Sequence, residues 1–398
     1  MPTSSTINNN ASKAGNTKIL VIFALLVFLG YSTVGIPLAV LPLHVHQIGF
    51  GPAIIGLVVA CQALATLFSR GMAGSVTDNR GAHIATYRGV ITCLMAIVLY
   101  AISSATTLSP WLSLFVLMAG RIVLGIGESL FITGVLSWSI STVGPSHAGK
   151  AMVWTGIAMF GAVGIGAPIG AYLYTYGFLM VSLISAVMPI LGYLMLRHIP
   201  TVPLMPGTRL PFTQVVGRIW PQGIGLAFST MGFGTLFSFL GLYFAVQGWQ
   251  GAPLGLMAFG IAYIAARLVF GGLPDKCGGL PVAKITIPCQ CIGLALLCIA
   301  PSASYALIGC AVVGAGYSLT FPALGVDALR RVPPQNRGAA MGAYVAFVDI
   351  GLGATGLISG NIAGIFGYTA TFYLATLASI AAYILTLALG WRARLKTA

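Results

Sequence analysis

Long runs without Asp, Glu, Lys or Arg set the pattern of this chain. They cover residues 19–69, 151–196, 219–266 and 285–326; two more, 89–149 and 338–391, are broken only by Arg121 with Glu128 and by Asp349. A helix needs about 20 residues to cross the hydrocarbon core of a bilayer. Each run is therefore long enough for an out-and-back hairpin, and six hairpins predict twelve spans. Uncharged turns fall near 42–52, 102–111, 172–178, 246–253, 300–305 and 363–369. The other connections hold Lys13 and Lys18; Arg70, Arg80 and Arg88; Lys150; Arg197, Arg209 and Arg218; Arg267, Lys276 and Lys284; Arg330, Arg331 and Arg337; and Arg392, Arg394 and Lys396. That places 18 of the 19 basic residues on one side. The positive-inside rule predicts that this side, with both termini, is cytoplasmic.

Composition removes the soluble alternatives. Of 398 residues, 58% are hydrophobic and 6% charged, and the mean hydropathy is +0.98. A soluble domain carries roughly a quarter of its residues charged, so a soluble enzyme, a secreted domain and a disordered chain are all excluded. A net charge of +14 would suggest nucleic acid in a soluble protein; here its one-sided placement assigns it to membrane topology, and no nucleic-acid partner is expected. Residues 1–18 read as a polar cytoplasmic tail ahead of the first span, since the apolar run that follows is too long for a signal peptide. The seven cysteines are scattered, with no disulfide framework and no metal cluster. His44 and His46 share an outer turn and read as solvated.

The chain repeats itself. Arg70, Gly74, Asp78 and Gly81 recur 197 positions later as Arg267, Gly271, Asp275 and Gly278, and Ser32–Gly35 recur as Ser229–Gly232. Gly120, Gly125, Gly127 and Ser129 recur at an offset of 189 as Gly309, Gly314, Gly316 and Ser318; Pro145, Gly149 and Met152 recur as Pro334, Gly338 and Met341. The repeats predict an all-α integral membrane protein with twelve transmembrane helices in two six-helix bundles. The N-terminal bundle spans 19–198, a cytoplasmic linker 199–218, the C-terminal bundle 219–391 and a cytoplasmic tail 392–398. Six spans per half keep both halves in the same orientation, as parallel repeats about an axis along the membrane normal.

These residues carry a resemblance. Gly74-Ser-Val-Thr-Asp78-Asn-Arg80-Gly81 resembles the signature between spans two and three of the major facilitator superfamily (MFS). Arg121 with Gly125 and Gly127 resembles its fourth-span motif, and Gly164, Gly166, Pro168 and Gly170 resemble its fifth-span Gly/Pro motif of antiporters. Ala82-His83 stand where the loop signature continues with basic residues, and Ala167 separates Gly166 from Pro168. Longer strings such as Gly120–Ser129, Val143–Gly170 and Phe321–Gly325 are similar to YfcJ/YhhS-type permeases of the bacterial inner membrane, of the arabinose-efflux or drug-efflux kind. The resemblance implies a multi-pass transporter of the bacterial inner (plasma) membrane, monomeric and without cofactor. It also implies a conformational latch formed by Gly74, Asp78, Arg80, Gly81, Gly271, Asp275 and Gly278.

Chemistry follows from charge at depth. Arg121, Glu128 and Asp349 are the three charged residues that the pattern buries, and an ionisable group inside the membrane marks a functional site by default. Arg121 and Glu128 are seven residues apart, about 10.5 Å along one helix face; Asp349 lies about 16 Å into span eleven. A carboxylate whose exposure and distance from an arginine change between two conformations binds a proton in one and releases it in the other. Glu128 is the first candidate carrier, Asp349 the second, and Arg121 the modulating cation; a static interior ion pair is the alternative. Gln62, Trp154 and Tyr344 are candidate substrate-cavity residues, and Trp111, Trp138, Trp220, Trp249 and Trp391 read as an interfacial belt. No phosphate-binding loop or nucleophile cluster is present, so neither an ATP-driven pump nor an enzyme is expected. The expectation is proton-coupled efflux of a small molecule by alternating access, the solute being a drug, sugar or metallophore-like compound. One Arg against two acids at depth predicts a neutral, zwitterionic or cationic solute. An importer of the same fold is the alternative, and a membrane scaffold or membrane-embedded enzyme the alternative of another class.

Overall fold

A computed structural model describes the backbone of residues 4–105, 109–144, 148–201, 212–332 and 337–395. The side chains of 4–17, 78, 105, 148–149, 212, 275, 337–339, 341 and 392–395 lie outside the described residues, as do Pro145 and Pro334. Fifteen α-helices and one π-helical turn make up the described elements, and twelve stretches are long and apolar enough to span a membrane. In the first half these are α1 (Ser4–Leu38) with α2 (Leu41–Gln47), α3 (Pro52–Arg80), α4 (Ala82–Ala105), α5 (Pro110–Val143), α6 (Ala148–Tyr174) and α7 (Phe178–Leu196). The second half holds α8 (Phe212–Val246), α9 (Ala252–Phe270), short α10 (Leu273–Cys277), α11 (Gly279–Cys298), α12 (Ala303–Arg330), α13 (Arg337–Ala354), a π-turn (Thr355–Ser359), α14 (Gly360–Phe366) and α15 (Tyr368–Leu395).

Two helices extend into the polar flanking stretches. Helix α1 begins at Ser4, inside the stretch read as a tail, and α8 begins at Phe212, inside the stretch read as linker. Once an apolar span has nucleated a helix, each further residue adds a hydrogen bond at little cost, so polar flanks can continue it. Helix breaks follow the sequence closely. Pro37 and Pro42 flank the break between α1 and α2, since proline lacks the N–H that would continue the ladder. Gly81 and its repeat mate Gly278 both take positive φ, +103° and +88°, a conformation that glycine adopts without strain.

The repeat is visible contact by contact. In the first half Gly125 lies against the Gln62 backbone and Gly127 against Cys93; in the second, Gly314 lies against the Phe259 backbone and Gly316 against Gln290. These four pairs are related by the offsets of 189 on one partner and 197 on the other. Small residues let the main chains approach where lipid provides no hydrophobic drive for helix association. Across the halves, α3 packs on α13, the π-turn and α14, α6 packs on α9, and α2 touches α8. Toward the end that carries the uncharged turns, Gly56 meets Gly356 and Gly360, and Gly164 meets Gly260. The extra residue per turn in the π-segment falls where Gly356 comes up against α3. Gly166 and Gly170 fit against Gly35 and Ile36 of α1, beside Pro168 within α6.

Candidate functional site

Polar groups converge between the halves. Glu128 of α5 accepts hydrogen bonds on both carboxylate oxygens, from the Tyr31 hydroxyl at 2.6 Å and from Gln62 Nε2 at 2.7 Å. Tyr31 comes from α1 and Gln62 from α3, so three helices of the first half meet at one carboxylate. Tyr31 also packs against the buried cluster that includes Phe233, Phe259 and Tyr317 of the second half, which places this group at the molecular centre.

A second element bridges the halves. Arg70 of α3 donates Nε to Asp349 Oδ2 at 2.7 Å and Nη2 to Oδ1 at 3.2 Å. The two-bond fork gives geometric specificity beyond simple charge attraction. Its side chains are 15% and 6% exposed, so the pair is held largely out of water. Beyond this bridge, toward the basic end, a Cβ at Gly71, Gly74 or Gly342 would meet nothing within 4 Å. The α3–α13 seam is thus tight at its uncharged end and open at its basic end.

Several sequence expectations change here. Arg70 and Arg267, read as residues of the basic connections, lie inside helices, as the nineteenth residue of α3 and the sixteenth of α9. Both fall within the first 20 or so positions after the uncharged turn, and that count along the helix was the signal that could have found them. The interior charge is therefore three arginines against two carboxylates, net +1 among the described residues, instead of −1. Asp327 sits near the basic end of α12, where it accepts from Gln222 at 2.6 Å and pairs with Arg331 at 3.2 Å. Arg121 does not reach Glu128. It donates Nε to the Val58 carbonyl at 3.1 Å and Nη1 to the Tyr100 hydroxyl at 3.4 Å, tying α5 to α3 and α4 about two turns from the acid.

The remaining candidates scatter. Gln62 joins Glu128, whereas Trp154 packs beside Leu20, Val143 and Ala151 at the basic end of the first half. Tyr344 is 1% exposed and donates to the Phe321 carbonyl at 2.9 Å, inside the second half's own core. Gly74 is open, Arg80 exposed and Gly271 continues from α9, while the side chains of Asp78 and Asp275 lie outside the described residues. Trp138 is no belt residue: it is 1% exposed, and its indole N–H donates to the Pro200 carbonyl at 3.0 Å. His44 is no solvated turn residue either, being stacked on Phe178 with ring centroids 4.1 Å apart. Tyr31 gave no sequence signal that set it apart from the other tyrosines.

Comparison with known proteins decides the family. The Major Facilitator Superfamily profile matches residues 20–355 and 256–397. The chain belongs to this superfamily. A relative described as an uncharacterized MFS-type transporter of Burkholderia pseudomallei (strain 1106a) is 41% identical over 366 residues, 90% of this chain and 89% of its own. Another, from Pseudomonas aeruginosa (strain UCBPP-PA14), is 41% identical over 387 residues, 97% of this chain and 96% of its own. Solved structures with the same fold include a D-xylose-proton symporter (TM-score 0.74, 15% identity, 93% of this chain and 96% of that one). The human organic anion transporter MFSD10 is a further one (TM-score 0.72, 14% identity, 93% and 99%). At such identity the likeness is one of fold, and two such different named solutes on one scaffold illustrate why a solute is not read from a fold. The chain is thus an MFS transporter, a secondary transporter of a small solute.

Proposed function

We propose that this MFS transporter is a proton-coupled exporter of the bacterial inner membrane, with the basic end and both termini in the cytoplasm. The observation that carries the reading is the Arg70–Asp349 ion pair, which joins the two halves inside their spanning segments. Any rocking of the halves that opens the uncharged end must pull α3 and α13 apart or slide them, and so alter this pair. A carboxylate withdrawn from its arginine in a low-dielectric interior is held more stably as the neutral acid, and restoring the pair expels the proton. Glu128 is the companion carrier, held by Tyr31 and Gln62 in the arrangement described. Arg70, rather than Arg121, is the cation that acts on the acids. Export follows the resemblance of the fourth- and fifth-span motifs to efflux permeases. Gly74, Asp78, Arg80, Gly81 and their mates Gly271, Asp275 and Gly278 serve as the latch that closes the basic end in the opposite state.

The test is transport in proteoliposomes, using a solute found by thermal-shift screening of sugars, cationic dyes, metallophores and organic anions. An imposed pH gradient is expected to drive wild-type transport. Glu128→Gln is expected to abolish that drive while solute exchange persists, and Asp349→Asn to weaken it at least tenfold, in line with about 1.4 kcal/mol or more of lost coupling. Undiminished pH-driven transport in both variants overturns the proton reading.

A further inference from the structure

The other seam between the halves holds an arginine without an acid. Arg267 of α9 is 5% exposed, and no carboxylate among the described residues pairs with it. Its Nη2 donates to the Ser318 carbonyl at 2.9 Å, its guanidinium carbon lies 5.2 Å from the centre of the Tyr263 ring, and its buried Nε has no partner. Across the seam the guanidinium abuts Gly156 of α6, where even a methyl group would collide with it.

The repeat explains what is missing. Arg267 is the mate of Arg70 by the offset of 197, and the offset of 189 that relates Gly149 to Gly338 carries Asp349 back to Phe160. Where the first arginine has a carboxylate, the second has an aromatic ring, 4.0 Å from Tyr263 between centroids. Phe160 continues into a wall of rings: Phe233 at 5.4 Å, Phe259 at 5.9 Å and Tyr317 at 6.1 Å. A guanidinium is always charged and presents its N–H groups in a fork that fits a carboxylate. Leaving one of those groups unpaired in the interior is costly, and the adjacent aromatic faces favour a flat apolar body.

We propose that, when α6 and α9 part, Arg267 anchors the carboxylate of an aromatic organic anion whose ring packs on Phe160 and Tyr263, which are packed against each other in the arrangement described. The carboxylate supplies the acid that the second seam lacks. This substrate class deepens, and rests on, the reading of the chain as a transporter of a small solute, and it replaces the neutral-to-cationic expectation drawn from the charge pattern.

The experiment is equilibrium binding to the full chain in nanodiscs at fixed pH without any gradient, so that loss of proton coupling and loss of anion binding are read separately. The probes are 2-naphthoate, its neutral amide 2-naphthamide, and 2-naphthylmethylammonium. Naphthoate is expected to bind about tenfold or more tighter than naphthamide, as a charge-assisted pair implies, with the ammonium weakest. Arg267→Gln and Gly156→Ala, the latter displacing the guanidinium, are each expected to erase the preference for naphthoate over its amide. Tyr263→Leu is expected to weaken both probes alike. Equal binding of acid and amide by the wild type, absence of saturable naphthoate binding, or a preference that survives in Arg267→Gln and Gly156→Ala overturns the proposal.

Discussion

The two halves share a skeleton and differ in what it carries. In the first, the repeat positions hold Tyr31, Gln62 and Glu128; the corresponding positions of the second hold Phe228, Phe259 and Tyr317. The glycines that seat these residues against their neighbours are the same in both, Gly125 and Gly127 against Gly314 and Gly316. Packing contacts tolerate little change in volume, whereas a side chain facing the space between the bundles is free to change chemistry. At these three positions the first half is polar and the second aromatic.

The sharpest way to break this comparison is to remove each arginine in turn. Arg70→Gln leaves the buried Asp349 uncompensated and is expected to cost about 3–5 kcal/mol of stability. Arg267→Gln orphans no acid and is expected to cost clearly less, so equal losses in thermal or denaturant unfolding would contradict the two-seam description. The skeleton itself is probed by Gly125→Ala and Gly314→Ala. Each places a methyl group on the main chain of a neighbouring helix, at Gln62 and Phe259 respectively, with an expected loss of about 1–3 kcal/mol. The two losses should agree if the repeat is energetic as well as geometric. A third variant is Phe160→Asp, which installs an acid at the repeat mate of Asp349. Loss of the ring contacts is expected to cost up to about 3–5 kcal/mol, offset in part by the new pair, and naphthoate binding should fall because the anion's place at Arg267 is taken.

Much of the architecture was legible from charge alone. A bilayer penalises ionised side chains so strongly that their absence marks the spans, and the one-sided placement of lysine and arginine marks the turns. The same reasoning misplaced Arg70 and Arg267, because the end of an uncharged run was taken as the end of a span. A long side chain paired or stacked in the interior breaks that equivalence. Glu128 and Asp349 stood out as isolated acids, but their partners did not. Arg121 shares a helix face with Glu128 and still bonds elsewhere, since Val58 and Tyr100 are nearer than the two turns of helix between them. Trp138 shows the complementary limit: position near a helix end suggests an interface, and only the carbonyl of Pro200 shows that the indole is capped inside the protein.

One feature of the uncharged end bears on how easily it comes apart. Gly56 against Gly356 and Gly360, and Gly164 against Gly260, touch main chain to main chain with no interlocking side chains. Such surfaces have no rotamers to freeze on meeting or to release on parting. Between α3 and α13 such plain faces leave the Arg70–Asp349 pair as the directional contact that any parting has to break.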